Sequence, residues 1–185
     1  MNALIALFGA GFVVATASFA PTIETTSERV AFTHVGACAS DSNYQRLAFW
    51  IGDWDVLDSA GNRYATQRVH AVLDDCALTA DWSSGGGNRG YAFFAFDNKS
   101  HEWRQMYASN QVPAPMGLKI RRSDPTYAGP GVRFLPTGDD ANAATLSRIT
   151  IRPTGDHRVI EDFEDSTDGG KTWKLVFTGE HRPMK

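Results

Sequence analysis

Hydrophobic and polar positions alternate with a period of two over most of this chain. The first clear case is Phe49-Trp50-Ile51-Gly52-Asp53-Trp54-Asp55-Val56. From Trp50 to Asp58, Trp50, Gly52, Trp54 and Val56 share one face and Phe49, Ile51, Asp53 and Leu57 the other, as the side chains of a strand do. Stretches 64–73, 76–83, 91–97, 102–109, 117–122, 131–135, 145–152, 157–166 and 172–181 read the same way. Turn residues punctuate them, among them Ser59-Ala60-Gly61-Asn62, Gly85-Gly86-Gly87-Asn88, Thr137-Gly138-Asp139-Asp140 and Asp168-Gly169-Gly170, so the connections are hairpins. Ten strands at that spacing leave no room for crossover helices, which predicts an all-β, antiparallel sheet. Closing the sheet into a single up-and-down barrel removes its edges; a two-sheet sandwich is the alternative. Ahead of the strands, Ser40 to Leu47 predicts a short N-terminal helix, with Tyr44, Leu47 and Ala48 at helical spacing and Ser40 or Ser42 as N-cap.

The length of 185 residues fits one domain able to bury its own core. Hydrophobic residues at 42% and charged residues at 21% exclude a disordered chain. A net charge of −3, with no basic cluster longer than Arg121-Arg122, excludes an electrostatic nucleic-acid footprint. Residues 1–20 carry no charged side chain and end in Ser18-Phe19-Ala20 before Pro21. Small residues at the −3 and −1 positions predict a signal peptide cleaved after Ala20. The apolar run is shorter than the ~20 residues of a spanning helix, and a retained anchor is the rival reading. Export to the periplasm or the outside follows, then a polar leader over 21–39 and the barrel over 40–185. Cys38 and Cys76 are the only cysteines, and in an exported chain they are expected to pair.

Phe49 to Val56 contains Gly52-Asp53-Trp54, and Gly-x-Trp marks the opening strand of lipocalin-like proteins. Further along stand Asp75-Cys76-Ala77-Leu78 with Trp82, Gly90 with Asp97 and Trp103-Arg104-Gln105, Ser147-Arg148-Ile149-Thr150, and Ser166 to Trp173. In that order, over about residues 38–182, these motifs resemble a family of secreted bacterial proteins of unknown function within the lipocalin-like, or calycin, group. The resemblance implies a ligand-sized β-barrel and carries no activity. Relatives often have an acid at the position of Ala80 and small polar residues at Ala92 and Phe94, which implies a more apolar cavity here.

Ser166-Thr167-Asp168-Gly169-Gly170-Lys171-Thr172-Trp173 also fits the Asp-box of sialidase propellers, where the box repeats; here it occurs once, so it reads as a hairpin turn. Trp103, Gln105 and Tyr107 share one strand face, two aromatics around an amide, as a pocket requires; a packed core strand is the plain alternative. Val159, Glu161 and Phe163 share a face as well. If it points inward, Glu161 is a carboxyl in an apolar lumen with its pKa raised, unless Arg148 or Arg152 neutralises it; if outward, it is solvated. The five histidines show no metal spacing, and His70 and His181 read as strand residues rather than haem ligands, so no metal and no cofactor are expected. These readings predict an exported small-molecule binding protein, its partly hydrophobic ligand inside the barrel against Trp54, Trp82, Phe94, Phe96, Trp103, Gln105, Tyr107, Arg148 and Glu161. One alternative is a cofactor-free lyase, isomerase or hydratase, with Glu161 as acid or base and Arg148 or Tyr107 stabilising negative charge. Another is an envelope interaction protein with a filled barrel.

Overall fold

The computed structural model describes residues 36, 38–110 and 116–185. The signal-peptide reading of 1–20, and the leader up to residue 35, lie outside the described residues. Ten strands run in chain order: β1 (Gly52–Leu57), β2 (Arg63–Val72), β3 (Ala77–Ser84), β4 (Arg89–Asp97), β5 (Glu102–Ser109), β6 (Met116–Ser123), β7 (Val132–Pro136), β8 (Leu146–Thr154), β9 (Arg158–Ser166) and β10 (Lys174–Pro183). Each pairs antiparallel with its sequence neighbours, and β1 pairs with β10 through Trp54 opposite Pro183 and Val56 opposite His181. The sheet is therefore a closed barrel, not the alternative sandwich, and among the described residues no edge strand is left to pair with another chain.

The start of β1 differs from the pattern. Phe49 and Trp50 belong to a 3-10 helix, Tyr44–Trp50, that begins and ends later than the expected helix and has Asn43, not Ser40 or Ser42, at its N-cap. No side chain caps it; Asp41 Oδ1 instead accepts the Asn43 N–H at 2.8 Å. The reason lies in what the helix buries. Residues three apart stack on one face of a 3-10 helix, so Tyr44, Leu47 and Trp50 line up, and Leu47 and Trp50 are fully buried in the barrel end. Gly52, at φ +149°, lets the chain leave the helix and enter β1 in a conformation costly for other residues.

This end is closed. Trp50 meets Phe94 edge-on at 5.4 Å, and Trp54 Nε1 donates to Trp50 O at 2.9 Å. Trp103 Nε1 donates to Asn43 O at 3.0 Å, and Arg46 Nη2 to Gly131 O at 2.8 Å. The Cys38–Cys76 disulfide, with Cα atoms 5.0 Å apart, ties the segment before the helix to the β2–β3 turn. Trp54, Val69, Trp103, Val132, Phe134, Ile151 and Val159 complete a core with almost no exposure. The up-and-down order sends the β1–β2, β3–β4, β7–β8 and β9–β10 connections to the other end. The last of these is the Asp-box segment. Asp168 Oδ1 accepts the amides of Lys171 and Thr172, and Oδ2 the Thr172 hydroxyl at 2.6 Å; these bonds hold its pKa down at about 2.

Candidate functional site

Between the helix plug and the loop end lies a cavity of about 610 Å³. Its walls are rings. Phe177 sits 5.2 Å from Tyr64 and 5.8 Å from Phe163, Tyr64 lies 6.1 Å from Trp82, and Phe94 and Trp50 form the floor. Tyr64 and Val176, both lining residues, are also solvent-exposed, so the cavity opens at the loop end. The Lys119 Nζ–Asp140 Oδ1 ion pair, 2.7 Å, stands at the rim.

The polar groups converge lower down. Strand alternation places Glu161 on β9, Arg121 on β6, Gln105 and Tyr107 on β5, and Gln67 on β2 on the inner wall. Arg121 Nη1 donates to Gln105 Oε1 at 3.1 Å. Behind them, fully buried His181 shares a 2.7 Å hydrogen bond between its Nε2 and Gln67 Oε1. That Nε2 lies 3.7 Å from Glu161 Oε2, whose side chain keeps 13% of its surface open. Glu161 accepts no hydrogen bond among the described residues. The β4 residue Gly90 leaves room for a ring, because a methyl group there would overlap Tyr107.

Burial sets the charge states. It pushes the Glu161 carboxyl up to about 7, with Arg121 pulling it down and Asp162 adding to the rise. It pushes His181 down to about 4, against backbone hydrogen bonds with Val159 and Gly179 that raise it. It lowers the Arg121 guanidinium, opposed by Asp140, Glu161 and Tyr107. Tyr107 is held up by burial, with a hydrogen bond from Ser109 working the other way. At neutral pH His181 is therefore uncharged, Arg121 remains a cation, and Glu161 is poised between its two forms.

The aligned partners show where each expected residue stands. Trp82, Phe94, Gln105, Tyr107 and Glu161 line the cavity. Trp54 and Trp103 lie in the closed-end core, and Phe96 packs there against Tyr44 and Trp103. Arg148 is a correction: it sits on the outer wall, bonded to both Glu164 oxygens at 2.7 and 2.8 Å and stacked 4.3 Å from the Trp173 ring. Arg152 likewise bonds Asp162 outside. The register explains this, since Ile151 faces Glu161 inside while Arg148 faces Glu164 outside. The inward cation is Arg121, paired with Gln105 across β5 and β6. The hydrophobic pattern hides it because β6 is inverted: Lys119 and Arg121 point in, while Leu118 and Ile120 are exposed. Its one available signal is the alternation Leu118, Lys119, Ile120, Arg121, which marks both faces without saying which is inside.

No family model matches the chain, and no curated protein does either. The geometry has to carry the reading alone. Among the described residues, no group of three or more His, Cys, Asp or Glu is placed to hold a metal ion, and no helix is long and apolar enough to cross a membrane.

Glu161 is expected to make the stability of the fold depend on pH. Its carboxyl is protonated in both states below 4.5 and resists ionising in the folded barrel until about 7. Wild type is therefore expected to lose stability as pH rises through that window, by roughly 3 kcal/mol at most. The Glu161→Gln variant should match wild type in urea midpoint near the lower bound and exceed it by roughly 2–3 kcal/mol above about pH 8. Midpoints that track each other at every pH contradict this placement. His181 has the opposite slope: its neutral form stabilises the fold above 6.5, and that contribution is lost as pH falls through about 4. Glu161→Gln leaves the His181 slope in place, so the two can be separated.

Proposed function

We propose that this barrel is a lipocalin-like, exported protein that binds a small, partly apolar molecule in its interior. The observation that carries the reading is the cavity itself: about 610 Å³, ring-lined, open at one end and furnished with convergent polar groups at depth. Small-molecule sites combine these properties, whereas a barrel acting through its outer wall has no need of an interior space. The Cys38–Cys76 disulfide supports export, because such bonds persist in oxidising compartments. The opening strand supports the lipocalin-like assignment, with Gly52 and Trp54 at the junction of helix and barrel.

Protein purified from its own compartment is expected to carry a small molecule in native mass spectrometry. Stripped of it, the protein should show quenched or shifted tryptophan fluorescence with members of a hydrophobic library, since Trp50 and Trp82 line the cavity. A stripped protein with no response to any member, and no adduct from the native source, overturns the reading.

A second reading has one observation in its favour. A carboxyl held at about 7 inside a cavity is suited to passing protons at neutral pH. With Glu161 as acid or base and Arg121 in the electrostatic role first given to Arg148, the same lumen supports a lyase, isomerase or hydratase reaction. Chemical conversion of a recovered ligand, abolished by Glu161→Gln, favours the enzyme. Recovery of the ligand unchanged favours the binding protein.

A further inference from the structure

We propose that the cavity is built for an organic monoacid, a compact molecule whose carboxylate sits on Arg121 and whose flat apolar body lies against Phe94, Phe163 and Phe177. This rests on the ligand-binding reading above and names the class of ligand. Three observations carry it.

The first is charge. Arg121 is 8% exposed, yet among the described residues no carboxylate lies within ion-pair distance of it. A buried cation without a counterion is costly; of the two carboxyls that act on Arg121 from a distance, Asp140 is bonded to Lys119 at the rim and Glu161 is pushed toward its neutral form by burial. An anionic ligand supplies the missing partner, whereas a cationic one would be placed facing Arg121. The second is an excess of donors. Among the described residues only Nη1 of the Arg121 guanidinium has a hydrogen-bond partner, Gln105 Oε1 at 3.1 Å, although the side chain lines the cavity. Its Nε is unpaired but shut off from the cavity space, so Nη2 is the donor left for a ligand's acceptor. A guanidinium edge meets a carboxylate particularly well. The third is the count of cations. The other lining cation, Lys119, is already bonded to Asp140 at 2.7 Å on the rim. One inner positive charge matches a monoanion and leaves a phosphate dianion without its second partner.

Glu161 makes the binding respond to pH. It is faced by Arg121 from β6, Tyr107 from β5 and His181 from β10, with Asp162 beside it on β9 and Asp165 and the Lys119–Asp140 pair nearer the mouth. Protonated, Glu161 can donate a hydrogen bond to a bound carboxylate; ionised, it repels one. Affinity for an acid should therefore fall as pH rises through about 7.

The test uses three probes with one ring system and different heads: 2-naphthoic acid, 2-naphthamide and 2-naphthylmethylamine, titrated calorimetrically into wild type, Arg121→Gln, Arg121→Lys and Glu161→Gln. At about pH 6 the acid is expected to bind wild type at least about tenfold more tightly than the amide, and the amine most weakly. Arg121→Gln should erase the preference for the acid while amide affinity stays within about threefold, which also reports that the fold is intact. Arg121→Lys, retaining the charge, should keep part of the preference. Wild type should bind the acid at least about threefold more weakly near pH 8.5 than near pH 6, and Glu161→Gln should not. Equal affinity for acid and amide in wild type, or a preference that survives Arg121→Gln, overturns the organic-acid inference and leaves the cavity as a binding site. No binding of any of the three at millimolar concentration also overturns this inference, and the binding reading is then decided by the library and the native mass spectrometry above.

Discussion

Trp50→Ala is expected to destabilise the protein by about 3–5 kcal/mol, the range for emptying a buried tryptophan site. Trp50 has no exposed surface. Its ring is held edge-on by Phe94 at 5.4 Å and His181 at 6.0 Å, and its carbonyl receives the Trp54 indole N–H. Side chains rooted in two different strands, β4 and β10, thus bear on one ring, and neither can collapse into the gap without breaking barrel register. The loss should be large because such a site relaxes little. The same ring is cavity floor; its removal should join the binding space to the closed end and weaken a ligand that stands on it. Urea unfolding monitored by circular dichroism measures the first effect. A loss below about 1 kcal/mol shows that the helix does not plug the barrel as described.

Removing the disulfide should come next in size. Cys38 and Cys76 close a loop of sequence separation 38, for which the chain-entropy relation gives about 4 kcal/mol of stabilisation. That loop contains the 3-10 helix, β1 and β2, so the bond restrains the unfolded chain where the plug must find the barrel end. The double variant Cys38→Ser/Cys76→Ser is expected to unfold at a lower urea concentration by an amount corresponding to about 4 kcal/mol, and wild type under reductant should behave like it. An unchanged midpoint in both contradicts the assignment. The closed end should suffer more than the loop end, so amide hydrogens of Leu47 and Trp50 should lose more exchange protection than those around Ile149, which a uniform loss of stability would not produce.

Much of this architecture was legible beforehand. All ten expected strands form, most within two residues of the predicted ends, because period-two alternation and turn residues are local signals that barrel closure reinforces. The pairing of the two cysteines followed from their number. Trp82, Phe94, Gln105, Tyr107 and Glu161, each expected to face a ligand, line the cavity, although for Glu161 the alternation leaves both faces open. The differences have two origins. Trp50 was counted into β1 because it continues the alternation; spacing by three from Leu47 assigns it to the helix instead. Arg148 and Arg152, the cations expected to neutralise Glu161, share one face of β8, but the pairing register puts that face on the opposite side of the wall from Glu161.

The sequence by itself determined how many strands there are, the order in which they join, and which residues of each strand share a face. Those properties depend on contacts between near neighbours along the chain. Only the tertiary structure decided which face is inside. On β6 that choice runs against hydrophobicity, sending Lys119 and Arg121 inward and leaving Leu118 and Ile120 exposed. Alternation marks two faces and is silent about which one the closing sheet encloses; that is set by the register with β5, where Gln105 meets Arg121, and by the cavity that gives a buried guanidinium a place to face.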